Sequence, residues 1–125
     1  IGMDATVYPS YYEPWGYTPL ESIAFGIPTI TTDLAGFGLW AKKHVTGNNI
    51  SEGVAVVNRD DFNYFEVADA ITSSILALAG KDKKEMAEIR KRSFCLAAKA
   101  EWSKFIVYYE EAFRIALEHA SKRNN

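Results

Sequence analysis

Apolar and polar positions change rhythm near residue 60, from short β-branched blocks to a helical repeat. Ala5-Thr6-Val7-Tyr8-Pro9 is an apolar block ended by proline, the pattern of a buried parallel strand. A loop, Ser10–Tyr17, follows. Thr18-Pro19-Leu20-Glu21 reads as a helix start: Thr18 as N-cap, Pro19 at the first helical position, Glu21 where a capping box places its carboxylate. Gly26 closes this helix and Pro28 stops it. Residues 28–32, Pro-Thr-Ile-Thr-Thr, read as a second strand. Asp33–Gly38 reads as a glycine-bearing turn, Gly38–Val45 as a short helix and Gly53–Arg59 as a third strand.

The remainder is helical. Asp60 or Asp61 is placed to cap a segment running to Ala79, with Phe65, Ala68, Ile71, Ile75 and Leu78 on one stripe, ended by Gly80. Lys83–Ala98 is a second, more charged helix with Met86, Ile89 and Phe94 facing inward. Trp102–Ala120 is a third, with Trp102, Phe105, Ile106, Tyr109, Phe113, Ala116 and Leu117 at helical spacing. The expected organisation is a βαβ portion over residues 1–59, a helical portion over 60–122 and a tail at 123–125.

Alternating strands and helices imply an α/β fold, a partial Rossmann-like parallel sheet of about three strands with C-terminal helices. Doubly wound sheets usually have five or six strands. The others are expected before Ile1, which is itself not an initiator methionine.

Composition narrows the class. The 125 residues are 48% hydrophobic and 14% aromatic, enough for a packed core. A formal net charge of −2 gives no reason to expect a nucleic-acid partner. No apolar run approaches the roughly 18 residues of a membrane span, so no membrane is expected. The opening residues lack a basic region followed by an apolar one, so no signal peptide is expected. The one cysteine, Cys95, forbids an intrachain disulfide and fits a reducing compartment. It is expected as a small core hydrophobe.

The candidate chemistry lies in the first loop. In open α/β sheets, ligands bind beyond the carboxyl ends of strands. A helix N-terminus there offers unpaired amides and about half a positive charge. The amides of Gly16, Tyr17 and Thr18 could hold a phosphate, and Gly16 allows close backbone approach. No Walker or GxGxxG pattern is present. Glu13 and Glu21 are acceptors suited to sugar hydroxyls: Glu21 to a ribose, Glu13 to a hexose. A diphosphate between two sugars is a nucleotide-sugar. On spacing alone, a capping Glu21 and a solvated Glu13 fit equally well.

The run PSYYEPWGYTPLESIAFGIPTITTDLAGFG resembles the donor-site segment of animal and fungal glycogen synthases, which are retaining GT-B glycosyltransferases. Glu13 and Glu21, eight residues apart, match the paired glutamates of many retaining GT-B enzymes. Tyr11-Tyr12-Glu13-Pro14-Trp15-Gly16-Tyr17-Thr18-Pro19 and Gly36-Phe37-Gly38 narrow the resemblance to the glycogen synthase branch. It is specific over the first 40 or so residues and looser beyond.

The resemblance implies the second half of a GT-B C-terminal, donor-binding domain. It implies transfer of glucose from UDP-glucose to the non-reducing end of an α-1,4-glucan, with retention and without metal or other cofactor. Glu13 is implied as the catalytic residue contacting the donor glucose. Amides at Trp15, Gly16, Tyr17 and Thr18 are implied against sugar and distal phosphate, and Glu21 at the ribose. The phosphate-binding Arg and Lys, and the N-terminal domain, are expected upstream. The chain alone is therefore expected to be inactive. A cytoplasmic enzyme is implied. An exposed edge at the first strand and the aromatic stripe of the last helix make a homo-oligomer an expected partner state.

His44 and His119 lack ligand spacing and are read as surface or boundary residues. Eukaryotic members carry an arginine-rich helix near Lys83, Lys84, Arg90, Lys91, Arg92 and Lys99 that senses glucose 6-phosphate. Here only Arg90 and Arg92 fall on arginine positions, with Glu85 and Glu88 interleaved, and a solvated face is the favoured reading. Two other functions stay open: a retaining GT-B transferase with a different acceptor or nucleotide, and a noncatalytic α/β binding domain. A glycosidase fits less well, because the spacing of the glutamates sets no carboxylate separation.

Overall fold

A computed structural model describes residues 2–123. Three parallel strands, β1 (Thr6–Tyr8), β2 (Thr29–Thr32) and β3 (Val54–Val57), lie in that order in one sheet. Thr6 pairs with Thr29, and Thr29 with Val54. Helix α1 (Tyr17–Ala24) connects β1 to β2. Helix α2 (Gly36–Lys42) and a short 3-10 turn (Ile50–Glu52) connect β2 to β3. Helices α3 (Tyr64–Ala79), α4 (Lys83–Ala97) and α5 (Trp102–Arg123) follow. The fold is the α/β architecture that the alternation predicts.

Residues of β3 alternate between two cores, as a strand buried on both faces requires. Val54 and Val56 pack with Ile23, Phe37 and Ala41 from α1 and α2. Ala55 and Val57 pack with Ile30, Val67 and Leu78, so α3 covers the other face. Helix α4 supplies Leu96 and Ala97 to the first core and Ile89 to the second. A hydroxyl cluster ties β1, α1 and β2: Thr6 Oγ1 lies 2.6 Å from Ser22 Oγ and 2.9 Å from Thr29 Oγ1.

Several local expectations are corrected. Helix α1 starts at Tyr17 with Gly16, not Thr18, as N-cap. Gly16 adopts φ 103°, a left-handed turn that winds the helix early. Thr18 and Pro19 therefore fall at the second and third positions, and Glu21 lies beyond capping-box reach. The glycine-bearing turn is shorter than expected, because Gly36-Phe37-Gly38 already belong to α2. Asn63, not Asp60 or Asp61, precedes α3. Phe65 and Ala68 face solvent, and Val67 and Leu78 are the buried residues of that helix. Phe94 and Cys95 are exposed, and α4 instead buries Ile89, Ser93, Leu96 and Ala97. No residue of α5 among those described is buried, so its aromatic stripe is largely open.

One capping box does form, at α4. The Asp82 carboxylate accepts from the N–H groups of Lys84 and Glu85, and the Glu85 carboxylate accepts from Asp82 N–H. Asp82→Ala is expected to lower stability by about 1 kcal/mol in chemical denaturation, with the slope unchanged. An unchanged midpoint would show that the cap contributes nothing.

Candidate donor site

The carboxyl ends of the strands gather the loops after Tyr8, Thr32 and Val57 on one edge of the sheet. The loop carrying Glu13 is laid against the start of α2 almost as a fourth strand. Glu13 bridges Ala35 in parallel fashion, its N–H donating to Leu34 O at 3.4 Å and its carbonyl accepting from Gly36 N–H at 3.1 Å. Phe37 N–H then donates to Trp15 O at 2.6 Å.

Two glycines make this contact possible. A methyl group on Gly36 would lie 2.2 Å from Pro14 O and 3.1 Å from Trp15 Cα. One on Gly38 would lie 2.0 Å from Thr32 O. Phe37 between them is fully buried. The Gly-Phe-Gly run is thus a packing surface: its first glycine admits the Glu13 loop and its second seats α2 on the end of β2.

At the mouth of α1 the predicted residues come together unequally. Gly16 is buried, and a methyl group on it would stand 3.6 Å from the Glu13 carboxyl carbon. Glu13 therefore lies at the helix N-terminus, half-buried, with one protein hydrogen bond to its carboxylate, from Ser10 Oγ at 3.3 Å. Among the described residues, the N–H groups of Trp15, Gly16, Tyr17 and Thr18 have no protein acceptor, and no side chain caps the helix. Tyr17 and Thr18 are exposed. Glu21 is exposed, and its carboxylate makes no protein hydrogen bond among the described residues. The capping role that spacing alone allowed for Glu21 is not formed.

Trp15 has a packing role as well. Its ring meets Phe37 edge-on at 6.4 Å, Trp40 at 6.1 Å and Phe105 of α5 at 5.5 Å. Beside it lies a groove of about 510 Å³ between Trp15, Tyr17 and Leu20 on one side and Trp102, Phe105 and Tyr109 on the other. His44, set apart from the glutamates, stacks on Trp40 at 4.5 Å. Among the described residues no group of three or more His, Cys, Asp or Glu is placed to hold a metal ion.

Three contributors escaped the sequence reading. The Tyr11 hydroxyl donates to Asp61 Oδ1 at 2.5 Å. That bond, ahead of desolvation, raises the Tyr11 hydroxyl above the ordinary phenol value. The Arg59 guanidinium lies 4.6 Å from the centre of the Tyr11 ring and donates to Pro9 O at 2.6 Å. Asp60-Asp61 looked like a helix cap, and no local pattern separates a cap from a distant tyrosine's partner.

The glycogen synthase family model matches residues 1–124. The chain belongs to the glycogen synthase family. It is 33% identical over 117 residues to the glycogen [starch] synthase of Caenorhabditis elegans, covering 94% of this chain. It is 32% identical to the liver glycogen [starch] synthase of Mus musculus and 31% to the glycogen [starch] synthase of Neurospora crassa, each over 95% of this chain. The chain spans 17% of the length of each of these glycogen synthases. No helix among the described residues is long and apolar enough to cross a membrane. Of the basic run, Arg90 pairs with Asp4 at 2.8 Å and Arg92 donates to Ser51 O at 2.9 Å.

Proposed function

We propose that this chain forms the nucleotide-sugar end of a retaining GT-B glucosyltransferase. The enzyme moves glucose from UDP-glucose to the non-reducing end of an α-1,4-glucan. The observation that carries the reading is the Glu13 carboxylate set beside the left-handed Gly16 at a helix N-terminus whose amides are free. A carboxylate accepts sugar hydroxyls, and free amides receive an anion. The two meet at the junction of the transferred glucose and the distal phosphate. Amides of Trp15, Gly16, Tyr17 and Thr18 stabilise the charge that develops on the leaving diphosphate. Glu21, one turn into α1 with a free carboxylate, holds the ribose. The further partners on this reading are a GT-B N-terminal half, the glucan and a second copy of the chain. The reaction takes place in the cytoplasm, needs no metal, and is not carried out by these 125 residues alone.

The test is transfer of labelled glucose from UDP-glucose to a glucan primer by the full-length polypeptide, with a chelator present. Transfer at an undiminished rate in chelator is the expected result. A strict divalent-metal requirement, or transfer only from a donor other than a glucose nucleotide, would overturn the proposal.

A further inference from the structure

We infer that Arg59 and Asp61, beyond the carboxyl end of β3, are positioning residues that hold the Pro9–Glu13 loop and so place the Glu13 carboxylate at the N-terminus of α1. This rests on the donor-site reading above. It adds a function for residues that touch neither the predicted sugar contacts nor the helix amides.

The loop leaves β1 after Tyr8 without regular structure, and Tyr11 and Tyr12 are exposed. Three residues restrain it before Glu13: Thr32 at the end of β2, and Arg59 and Asp61 beyond β3. Thr32 Oγ1 donates to Ser10 O at 2.6 Å. Arg59 donates to Pro9 O at 2.6 Å and places its guanidinium over the Tyr11 ring at 4.6 Å. The Tyr11 hydroxyl donates to Asp61 Oδ1 at 2.5 Å. The restraint then passes to the site, because Ser10 Oγ donates to Glu13 Oε2 at 3.3 Å.

The brace is anchored to the sheet. Arg59 N–H donates to Asp33 Oδ1 at 2.9 Å, and Asp33 N–H donates to Val57 O at 3.0 Å. Lys42 of α2 reaches the other Asp33 oxygen at 3.4 Å. The planar guanidinium suits its double task, since it stacks on an aromatic face while its N–H groups donate in the plane. Asp61 is available because Asp60 is held in a local turn, accepting from Phe62 N–H at 2.8 Å, and Asn63 precedes the helix. Tyr11 stays a neutral donor, as its raised hydroxyl requires.

The Arg59–Pro9 and Tyr11–Asp61 bonds are solvent-exposed, and such contacts add little to global stability. Their consequence is geometric. A shift of about 1 Å in a catalytic group costs up to roughly 100-fold in rate.

In the full-length enzyme, Arg59→Ala and Asp61→Ala are expected to lower kcat at least about tenfold. Affinity for UDP, measured by calorimetry, stays within about threefold, because the amides and Glu21 are untouched. Tyr11→Phe keeps the ring under Arg59 and loses only the hydroxyl bond, so its effect is smaller than that of Arg59→Ala. Combining Tyr11→Phe with Asp61→Ala is no worse than Asp61→Ala alone, since either substitution removes the same bond. Unchanged kcat in Arg59→Ala and Asp61→Ala overturns the brace. So does a fall in kcat matched by UDP affinity and melting temperature, which marks a general structural role. So does additivity of the Tyr11 and Asp61 effects. Glu13→Gln measured alongside separates the two levels. If it is crippled while the brace variants are normal, only the positioning role fails. If Glu13→Gln is itself normal, the donor-site reading and the brace fail together.

Discussion

On the proposed donor-site reading, Glu13→Gln in the full-length enzyme is expected to lower kcat for glucosyl transfer by about 100-fold or more, the scale seen when a preorganised polar group is removed from a transition state. Glutamine keeps the shape of glutamate, loses its charge and exchanges one acceptor oxygen for a donor. Sugar hydroxyls bonded to the carboxylate on that reading would lose charge-assisted hydrogen bonds as charge develops on the glucose. The fold has little to lose. The side chain is half-buried with a single long hydrogen bond from Ser10, and that donor finds the amide oxygen instead. Stability is therefore expected within about 0.5 kcal/mol of the wild type. Glu21→Gln should show the opposite split, with UDP affinity falling and kcat at saturating donor largely kept, as the ribose contact is made equally in ground and transition states. Steady-state kinetics with UDP-glucose, joined to calorimetric UDP titration, distinguishes the two. Wild-type kinetics in both variants would remove the glutamates from the site.

Gly38→Ala is expected to lower the melting temperature by roughly 10 °C, corresponding to about 3 kcal/mol. The added methyl group would sit 2.0 Å from Thr32 O and 2.9 Å from its carbonyl carbon. Both atoms are backbone at the end of β2, where Thr32 pairs with Val57, so no flexible side chain can yield. Relief requires α2 to lift from the sheet, which also loosens the fully buried Phe37. Gly36→Ala is expected to be of similar size and to reach the site as well, because its methyl group meets Pro14 O at 2.2 Å. The contrast is Gly80→Ala, at the end of α3, where φ is −82° and the nearest atom, Leu76 O, is 3.7 Å from the new methyl group. That substitution should change stability by less than about 1 kcal/mol, toward greater stability. Thermal unfolding of the chain by circular dichroism reads all three. A Gly38→Ala protein melting within a degree of the wild type would refute the close seating of α2 on β2.

What was legible from residues alone, and what was not, divides by the range of the interactions. Strand, helix and strand over residues 5–32 followed from β-branched blocks punctuated by Pro9, Gly26 and Pro28, because φ restriction and missing donors act on immediate neighbours. The three long helices followed from periodicity for the same reason. The Glu-Pro-Trp-Gly-Tyr-Thr-Pro run was informative enough to indicate the glycogen synthase family. Which face of a helix is inside was less legible. Phe65 and Phe94 are apolar and fall on plausible stripes, yet both are exposed. Val67 and Ser93 hold the interior because the sheet lies on their side.

The chain by itself therefore determined its element order, its parallel α/β class and the loop that carries Glu13. The tertiary structure decided how that loop is held. Gly36 and Gly38 looked like turn residues, but both are helical, and glycine is needed there because neighbouring backbone lies within 2.2 Å of the position a side chain would occupy. Tyr11 and Asp61 are 50 residues apart, and Arg59 reaches Pro9 across the same interval. Local rules of turn and period carry no information over such a span. These residues meet because β1 and β3 run parallel on either side of β2, which returns the chain to the same edge of the sheet at the end of every strand.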